Sequence, residues 1–417
     1  MWRIKLSLFL NYFVFAILLN SVGTVILQVQ HNFGVSESSA SILEGFKDLS
    51  IAAVSFLVAS YIVRIGYKNA MLIALGLISG TCLLMPSLGS FAMTKVLFAV
   101  TGTCFALIKV SVYATIGIIT DNKKDHASFM NFIESFFMVG ILTGYFIFSA
   151  FVSDSDPTSN DWFRVYYLLA GISAIAFVLL WTTTLDESAI RPAESLSFSK
   201  DFLDMVKLAI QPLVLVFIVS AFTYVLIEQS IMSWLPTFNS KVLQLPATLS
   251  IQMASILAAS TAIGRFSAGI ALRKLHWFFV LVICLAASAT LVIIAMPMAR
   301  AAGGEVTGWA TAPLAAFVFP LIGLFIAPIY PAINSVILST LPPRQHGPMS
   351  GLIVIFSALG GTTGSIITGH LFESYGGEKA FYFSLLPIAM LTVCLAIFSR
   401  LQKKSEAKVN FVSSGGH

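Results

Sequence analysis

The 417-residue chain is 57% hydrophobic and only 10% charged, against roughly 25% charged in soluble domains. So few charges cannot coat a water-soluble body of this length, and the composition is that of an integral membrane protein with many spans. The formal net charge of +5 is mild, and the placement of the basic residues accounts for it without a nucleic-acid partner.

Apolar runs fall near 8–29, 39–63, 69–88, 92–120, 128–152, 163–183, 208–238, 245–272, 277–298, 309–340, 347–372 and 379–400. Each is close to or above the ~20 residues a helix needs to cross a bilayer. They predict an all-α integral membrane protein with twelve transmembrane helices, spans 1 to 12. The first run is too long for a cleavable signal and lacks a small-residue cleavage site. Cys82, Cys104, Cys284 and Cys394 lie inside apolar runs without ligand spacing, so neither a disulfide framework nor a metal centre is expected.

Lysine and arginine set the orientation. With both termini cytoplasmic, that side carries most of the 24 basic residues, among them Arg3, Lys5, Arg64, Lys68, Lys123, Lys124, Arg273, Lys274, Arg400 and Lys403. The opposite side holds only Lys95, Arg164, Lys241, Arg300 and Lys379. This is the positive-inside pattern of a multi-pass protein, expected in the cell (inner) membrane. The polar link 184–207 joins spans 6 and 7. It divides the chain into an N-terminal six-helix bundle over 1–183 and a C-terminal one over 208–400, with a disordered cytoplasmic tail over 401–417.

The stretch from Gly102 to Phe148 has an echo 220 positions on. Phe105 meets Phe325, Phe136 meets Phe356, Gly140 meets Gly360, Thr143 meets Thr363 and Gly144 meets Gly364. An internal repeat half a chain apart is what a carrier with two pseudo-symmetric halves shows. The echo lacks two charges, because Ile329 stands opposite Lys109 and Val354 opposite Glu134. Shared positions read as scaffold, and the unshared charges as candidates for function.

Charges inside a span are costly and normally face the bundle interior or a water path. Lys109 lies about 11 residues into span 4 and Glu134 about 7 into span 5, or ~16 Å and ~10 Å from the cytoplasmic ends at ~1.5 Å per residue. Long side chains at those depths can meet. They form either a structural ion pair or a switch in which a solute takes Lys109 and Glu134 then accepts a proton. Tyr113 joins them as a candidate solute contact. Glu228 and Gln229 on span 7 are either a gate contact or a site for solute and proton. Glu44, Lys47 and Asp48 share one face of span 2. Lys47 and Glu44 read as a local pair, either structural or near the headgroups, and Asp48, set deeper, as a candidate proton carrier. Asn20, Asn131 and Asn334 are polar groups in apolar spans, either interhelical glue or solute ligands.

Twelve spans, cytoplasmic termini, a central loop and a half-chain repeat together resemble the major facilitator superfamily over essentially the whole chain. The resemblance implies two six-helix bundles rocking about a central site, with spans 1, 4, 7 and 10 lining the cavity. Between spans 2 and 3 that superfamily usually reads Gly-x-x-x-Asp-Arg-x-Gly-Arg-Lys. Here Arg64, Gly66 and Lys68 remain, while Val63 replaces the acid and Ala59 the glycine. After span 8, Gly264-Arg265-Phe266 through Gly269 to Arg273-Lys274 is similar to the second copy. These matches imply a cytoplasmic gate at Arg64, Gly66, Gly264, Arg265 and Gly269, with Arg265 capping that side. Tyr224 to Pro236, Tyr330-Pro331-Ala332-Ile333-Asn334 and Ser350-Gly351 with Gly360-Gly361 resemble the fucose/proton symporter family. Span 1 offers Asn20 and Gln28 but no carboxylate, so that family's proton carriers do not map onto it.

There is no phosphate-binding loop, nucleophile elbow or redox signature, so no cofactor is expected and an enzyme is not indicated. The expectation is a monomeric secondary active transporter. It moves a small polar solute, a sugar or organic anion, inward across the bilayer by alternating access with protons. The alternative is a proton-driven exporter of drug-like or metabolite molecules, for which the 35 phenylalanines would suit an apolar pocket.

Overall fold

The computed structural model describes residues 2–120, 123–185, 187, 198–342 and 345–414. Among these, eleven helices are long and apolar enough to cross a membrane. The helix Glu37–Ile65, 29 residues long, supplies the remaining expected span. A helix satisfies its own backbone groups, which is the condition for crossing hydrocarbon.

Span 1 is Trp2–Asn20 followed by Val22–Phe33. Spans 2 to 5 are Glu37–Ile65, Tyr67–Leu88, Phe91–Ile119 and Lys123–Ser149, and span 6 is Val165–Trp181. Span 7 is Pro212–Met232 and Leu235–Lys241, span 8 Ala247–Ala271 and span 9 Trp277–Arg300. Span 10 is assembled from short pieces that end in Ile329–Thr340, span 11 is His346–Tyr375, and span 12 is Gly377–Tyr382 and Leu385–Ser414. The tail expected to be disordered instead extends span 12 as helix to Ser414. The link contributes a helix of its own, Phe198–Ala209. Serines start two spans: Ser36 Oγ accepts from the Ser39 amide and Ser90 Oγ from the Met93 amide, as helix caps do.

Spans 1 to 6 and 7 to 12 form two pseudo-symmetric six-helix bundles, and the echoed glycines show why the repeat survives. A Cβ on Gly140 of span 5 would lie 2.9 Å from the Phe13 carbonyl of span 1. A Cβ on Gly360 of span 11 would lie 2.4 Å from the Phe222 carbonyl of span 7. One turn on, Gly364 meets the Leu226 carbonyl and Gly144 the Ile17 side chain, at 3.4 Å for the latter. Both bundles therefore use glycine to bring the same pair of helices into backbone contact.

Four runs that read as continuous in the sequence are broken. Span 1 breaks at Ser21, span 7 at Ser233 and Trp234 just ahead of Pro236, span 10 at Pro320 and Pro328, and span 12 at Phe383 and Ser384 ahead of Pro387. Proline lacks the donor that would continue the ladder. The breaks of spans 1 and 7 abut, since a Cβ on Gly23 would lie 2.9 Å from the carbonyls of both Met232 and Ser233. Spans 3, 9 and 12 turn large apolar side chains outward, including Ile73, Leu77, Ile283, Ile293, Leu386 and Val393. Exposed apolar surface on this scale faces lipid.

The ends of the spans define a terminal face, which holds both chain termini, and a far face. The bundles are sealed at the far face. Lys241 pairs with Glu37, the Ser38 amide donates to Glu373 at 3.0 Å and the Thr248 amide to Asp154 at 2.9 Å. Gln252 donates to Ser149 at 3.2 Å, and Phe146 stacks on Trp309. Lys109 and Arg265, one in each half, are exposed on the terminal side of this seal, and the cleft between the halves is read from them.

Candidate functional site

The N-terminal wall of the cleft is built on spans 1, 4 and 5. Lys109 and Tyr113 are one turn apart on span 4 and share a face. Tyr113 donates to Glu134 on span 5 at 2.6 Å, and its ring lies 6.4 Å from that of Tyr12 on span 1. Lys109 sits 5.9 Å from the centre of the Phe105 ring. It is accessible although protein surrounds it, so it faces the cleft rather than the outer wall. The expected meeting of Lys109 with Glu134 is corrected: no carboxylate of the described residues lies within 4 Å of the ammonium. Glu134 instead takes its bond from Tyr113, one turn from the lysine.

The C-terminal wall carries a counterpart on spans 7, 8 and 10. Tyr224 donates to Glu228 at 2.7 Å, and the Tyr224 and Tyr330 rings stack with centres 5.4 Å apart. The Tyr330 hydroxyl is 2.8 Å from Ser357 of span 11. Arg265 reaches Glu228 at 3.9 Å, which corrects the expectation that it caps the cytoplasmic side. The long side chain turns inward along span 8 toward the charge in its own half. Each wall therefore holds a tyrosine pair, a carboxylate bonded by one tyrosine, and a cation.

A third polar cluster lies between the walls, inside the far-face seal. Glu44, Lys47 and Asp48 of span 2 are 0%, 5% and 7% exposed. Lys47 pairs with Glu44, lies 3.4 Å from Asp48 and donates to the Leu19 carbonyl of span 1 at 3.4 Å. Ser233, at the break of span 7, donates to Glu44 at 2.8 Å. Asp48 lies against span 11, where a Cβ on Gly361 would sit 2.3 Å from its Oδ2. The expected headgroup position of Glu44 and Lys47 is corrected, because span 2 packs along span 11 and carries this face into the interior.

The remaining candidates spread out. Asn20 donates to its own Ala16 carbonyl at 2.8 Å and lines a small recess with Ile17, Thr24 and Tyr145. Gln229 accepts from Ser233 at 3.4 Å. Asn334 lies half-buried on span 10 beside Tyr330. Asn131 falls on span 5 and Arg64 on span 2, but their side chains lie outside the described residues. Gly264 meets the Leu324 carbonyl of span 10, and Gly269 faces open space. Gly66, at φ +86°, starts span 3 against Glu187, which accepts from the Tyr67 and Lys68 amides at 3.0 and 2.7 Å. That carboxylate from the link occupies the start of span 3, near the point where Val63 replaces the acid.

Tyr12, Tyr224 and Tyr330 are the members that sequence reasoning passed over as site residues. The tyrosines carry no spacing signal among so many aromatic residues.

A family model described as Major Facilitator Superfamily matches residues 8–364. No curated protein matches the chain in sequence. The fold is similar to that of the nucleoside transporter NupG, at TM-score 0.73 and 14% identity over 95% of this chain and 98% of that one. It is similar also to a bacterial homologue of the human lysosomal transporter Spinster in an inward-facing and occupied conformation, at TM-score 0.73 and 15% identity over 97% and 96%. The outward conformation of the transporter FucP matches at TM-score 0.60 and 14% identity over 94% and 98%.

Proposed function

The chain belongs to the Major Facilitator Superfamily, and from that premise we propose that it takes up a small polar solute, a sugar or organic anion, coupled to protons. The superfamily consists of membrane transporters, and two bundles sealed at one face only are one state of an alternating-access cycle. The preponderance of lysine and arginine at the terminal face supports a cytoplasmic assignment for it. Residues 1–183 and 208–400 are the two bodies that rock, and 184–207 is the link between them. Neighbours that include a D-xylose–proton symporter support the coupling and the solute class.

One observation carries the reading: Lys109 is a cation facing the cleft with no carboxylate at ion-pair distance. It has three donors and no acceptor, so it fits a carboxylate, a phosphate or a row of hydroxyls. Tyr12, Tyr113 and Glu134 offer a solute both donors and acceptors from the same wall, with Asn20 and Asn131 on the helices beside them. Glu228, Gln229 and Asn334 do so from the other wall. Glu134, Glu228 and Asp48 are the carboxylates available to carry the proton. The test is a thermal-stability screen of the purified protein against sugars, carboxylates, phosphorylated metabolites and hydrophobic cations, since a ligand of the native state raises the melting temperature. Stabilisation by a sugar or an anion, lost in Lys109→Ala, is the expected result. Stabilisation by hydrophobic cations alone, unchanged in Lys109→Ala, would overturn it in favour of export.

A further inference from the structure

We propose that the Glu44–Lys47–Asp48 cluster is a proton site separate from the solute wall, and that its protonation state sets whether the far face is sealed. The inference rests on the reading of the chain as a proton-driven carrier and assigns the proton within it.

The argument starts from charge. Two carboxylates and one ammonium sit in a seam closed to water, with Glu44 wholly buried and the other two nearly so. Two carboxylates and one lysine leave one negative charge without compensation, and an uncompensated charge in a dry seam is strongly disfavoured. The surroundings do not supply the missing positive charge. Span 1 presents the Leu19 carbonyl, span 4 packs Gly102 against the Lys47 carbonyl, and span 11 presents Gly361 and Thr362. From span 7 come Ser233, Gln229 and Glu228, the last adding a further negative charge to the neighbourhood of Asp48. A sealed seam thus requires one proton on a carboxylate.

Asp48 is the member that carries it. Glu44 is committed on both sides, paired with Lys47 and bonded by Ser233. Asp48 has the longer contact to Lys47, 3.4 Å, and packs beside Gln229 where both meet Gly361. Its second oxygen occupies space that only a glycine at position 361 leaves free.

Position then gives the cycle its direction. The cluster lies between spans 2, 7 and 11, which must part when the far face opens. In that state Asp48 meets the outside water and takes up a proton. The neutral cluster can be buried again as the seal closes, and the proton leaves past Gln229 and Glu228 into the cleft. The ionised cluster favours the open far face.

The experiment needs no solute. Spin labels on Ser155→Cys and Gly303→Cys, exposed far-face loop positions in opposite halves, report the far-face separation in nanodiscs, with Cys394→Ser removing the half-buried thiol. In the wild type the separation is short at low pH and widens in one step as pH rises. Asp48→Asn and Glu44→Gln each leave a neutral pair or a neutral site, so both keep the short distance throughout. Arg300→Gln, at the far face outside the seam, keeps the step. Infrared difference spectra add a direct readout: a protonated-carboxyl band that disappears across the step and is missing in Asp48→Asn. If Asp48→Asn does not fold, Glu44→Gln decides the question. A wild type without a step, or a step surviving in a folded Asp48→Asn or Glu44→Gln, overturns the assignment. The solute screen can fail while this step stands, and the step can fail while a solute still binds, so the two readings fall separately.

Discussion

The two walls of the cleft are built alike and charged differently. Each has a stacked or tilted tyrosine pair, across spans 1 and 4 or spans 7 and 10, and each has a carboxylate bonded by a tyrosine at 2.6 or 2.7 Å. The cations part company. Arg265 stands 3.9 Å from Glu228 of its own half, whereas Lys109 has an aromatic ring as neighbour and its nearest candidate carboxylate is held by Tyr113. A cation already set beside a carboxylate belongs to the wall. An accessible cation without one is completed by what enters the cleft. The fold repeats, then, and the chemistry that selects a solute sits in one half.

The strongest way to break this comparison is to remove each cation in turn. Lys109→Ala should weaken solute binding about ten- to a hundredfold, the loss expected of a charge-assisted hydrogen bond worth roughly 1.5–3 kcal/mol. Arg265→Ala should stay within a few-fold of wild type. Equilibrium binding of the solute identified by thermal shift measures both. Equal losses would mean that the walls share the solute, and the asymmetry would fail.

The scaffold side of the comparison predicts equality instead. Gly140 and Gly360 occupy matching places, each against a carbonyl of the neighbouring helix. Alanine at either has no room without a backbone shift, and overpacking typically costs about 1–3 kcal/mol. Both variants should lower the unfolding midpoint in detergent, Gly360→Ala the more because its approach is closer. A neutral Gly360→Ala beside a damaging Gly140→Ala would show that the repeat does not carry the packing.

This division also separates what the sequence made legible from what it hid. Close helix packing fixes glycine at one position and no other, so the match of Gly140 and Gly144 to Gly360 and Gly364 could be seen as a repeat. The polar sets could not, because their members come from different helices: Glu134 sits on span 5 and its counterpart Glu228 on span 7. Depth along a span follows from residue counting, but rotation about the helix axis does not. Lys109 and Glu134 were expected to meet, whereas Glu134 bonds Tyr113, one turn from the lysine. The spacing of Glu44, Lys47 and Asp48 gave their shared face. What that face touches depends on spans 7 and 11, nearly 200 residues and more away in sequence. The break at Ser21 was hidden for the same reason: its residues are apolar or small enough to continue a helix, and the crossing of spans 1 and 7 at Gly23 marks it, whereas Pro236 marks the break of span 7 in the sequence itself.

A smaller effect sharpens the contrast between the cations. Glu228→Gln removes the partner of Arg265 and makes the C-terminal wall resemble the other. Anionic solutes should then bind more tightly, by up to about fivefold, because a half-exposed pair is worth no more than ~1 kcal/mol. Neutral sugars should be little affected, because glutamine keeps a hydrogen-bonding group at that wall. A loss of binding for both classes would show that the solute needs the Glu228 carboxylate itself.

The smallest effect concerns the seal rather than the walls. Lys241 of span 7 pairs with Glu37 of span 2 across the halves, while Arg300 pairs with Glu378 at 2.7 Å within the C-terminal half. Both pairs are at the far face and both arginine or lysine side chains are substantially exposed, so neither contributes much to stability. Their consequences for the conformational balance still differ. Only the Lys241 pair must break for the far face to open, so only Lys241→Ala changes the free-energy difference between sealed and open states. A pair of this kind contributes about 0.2–1 kcal/mol, which moves a two-state population by roughly 1.4- to fivefold. The far-face separation read by the spin-label pair should broaden toward the open distance in Lys241→Ala and remain as in the wild type in Arg300→Ala. Identical behaviour of the two variants would show that the seal is carried by the buried seam of spans 2, 7 and 11 and not by the charges at its rim.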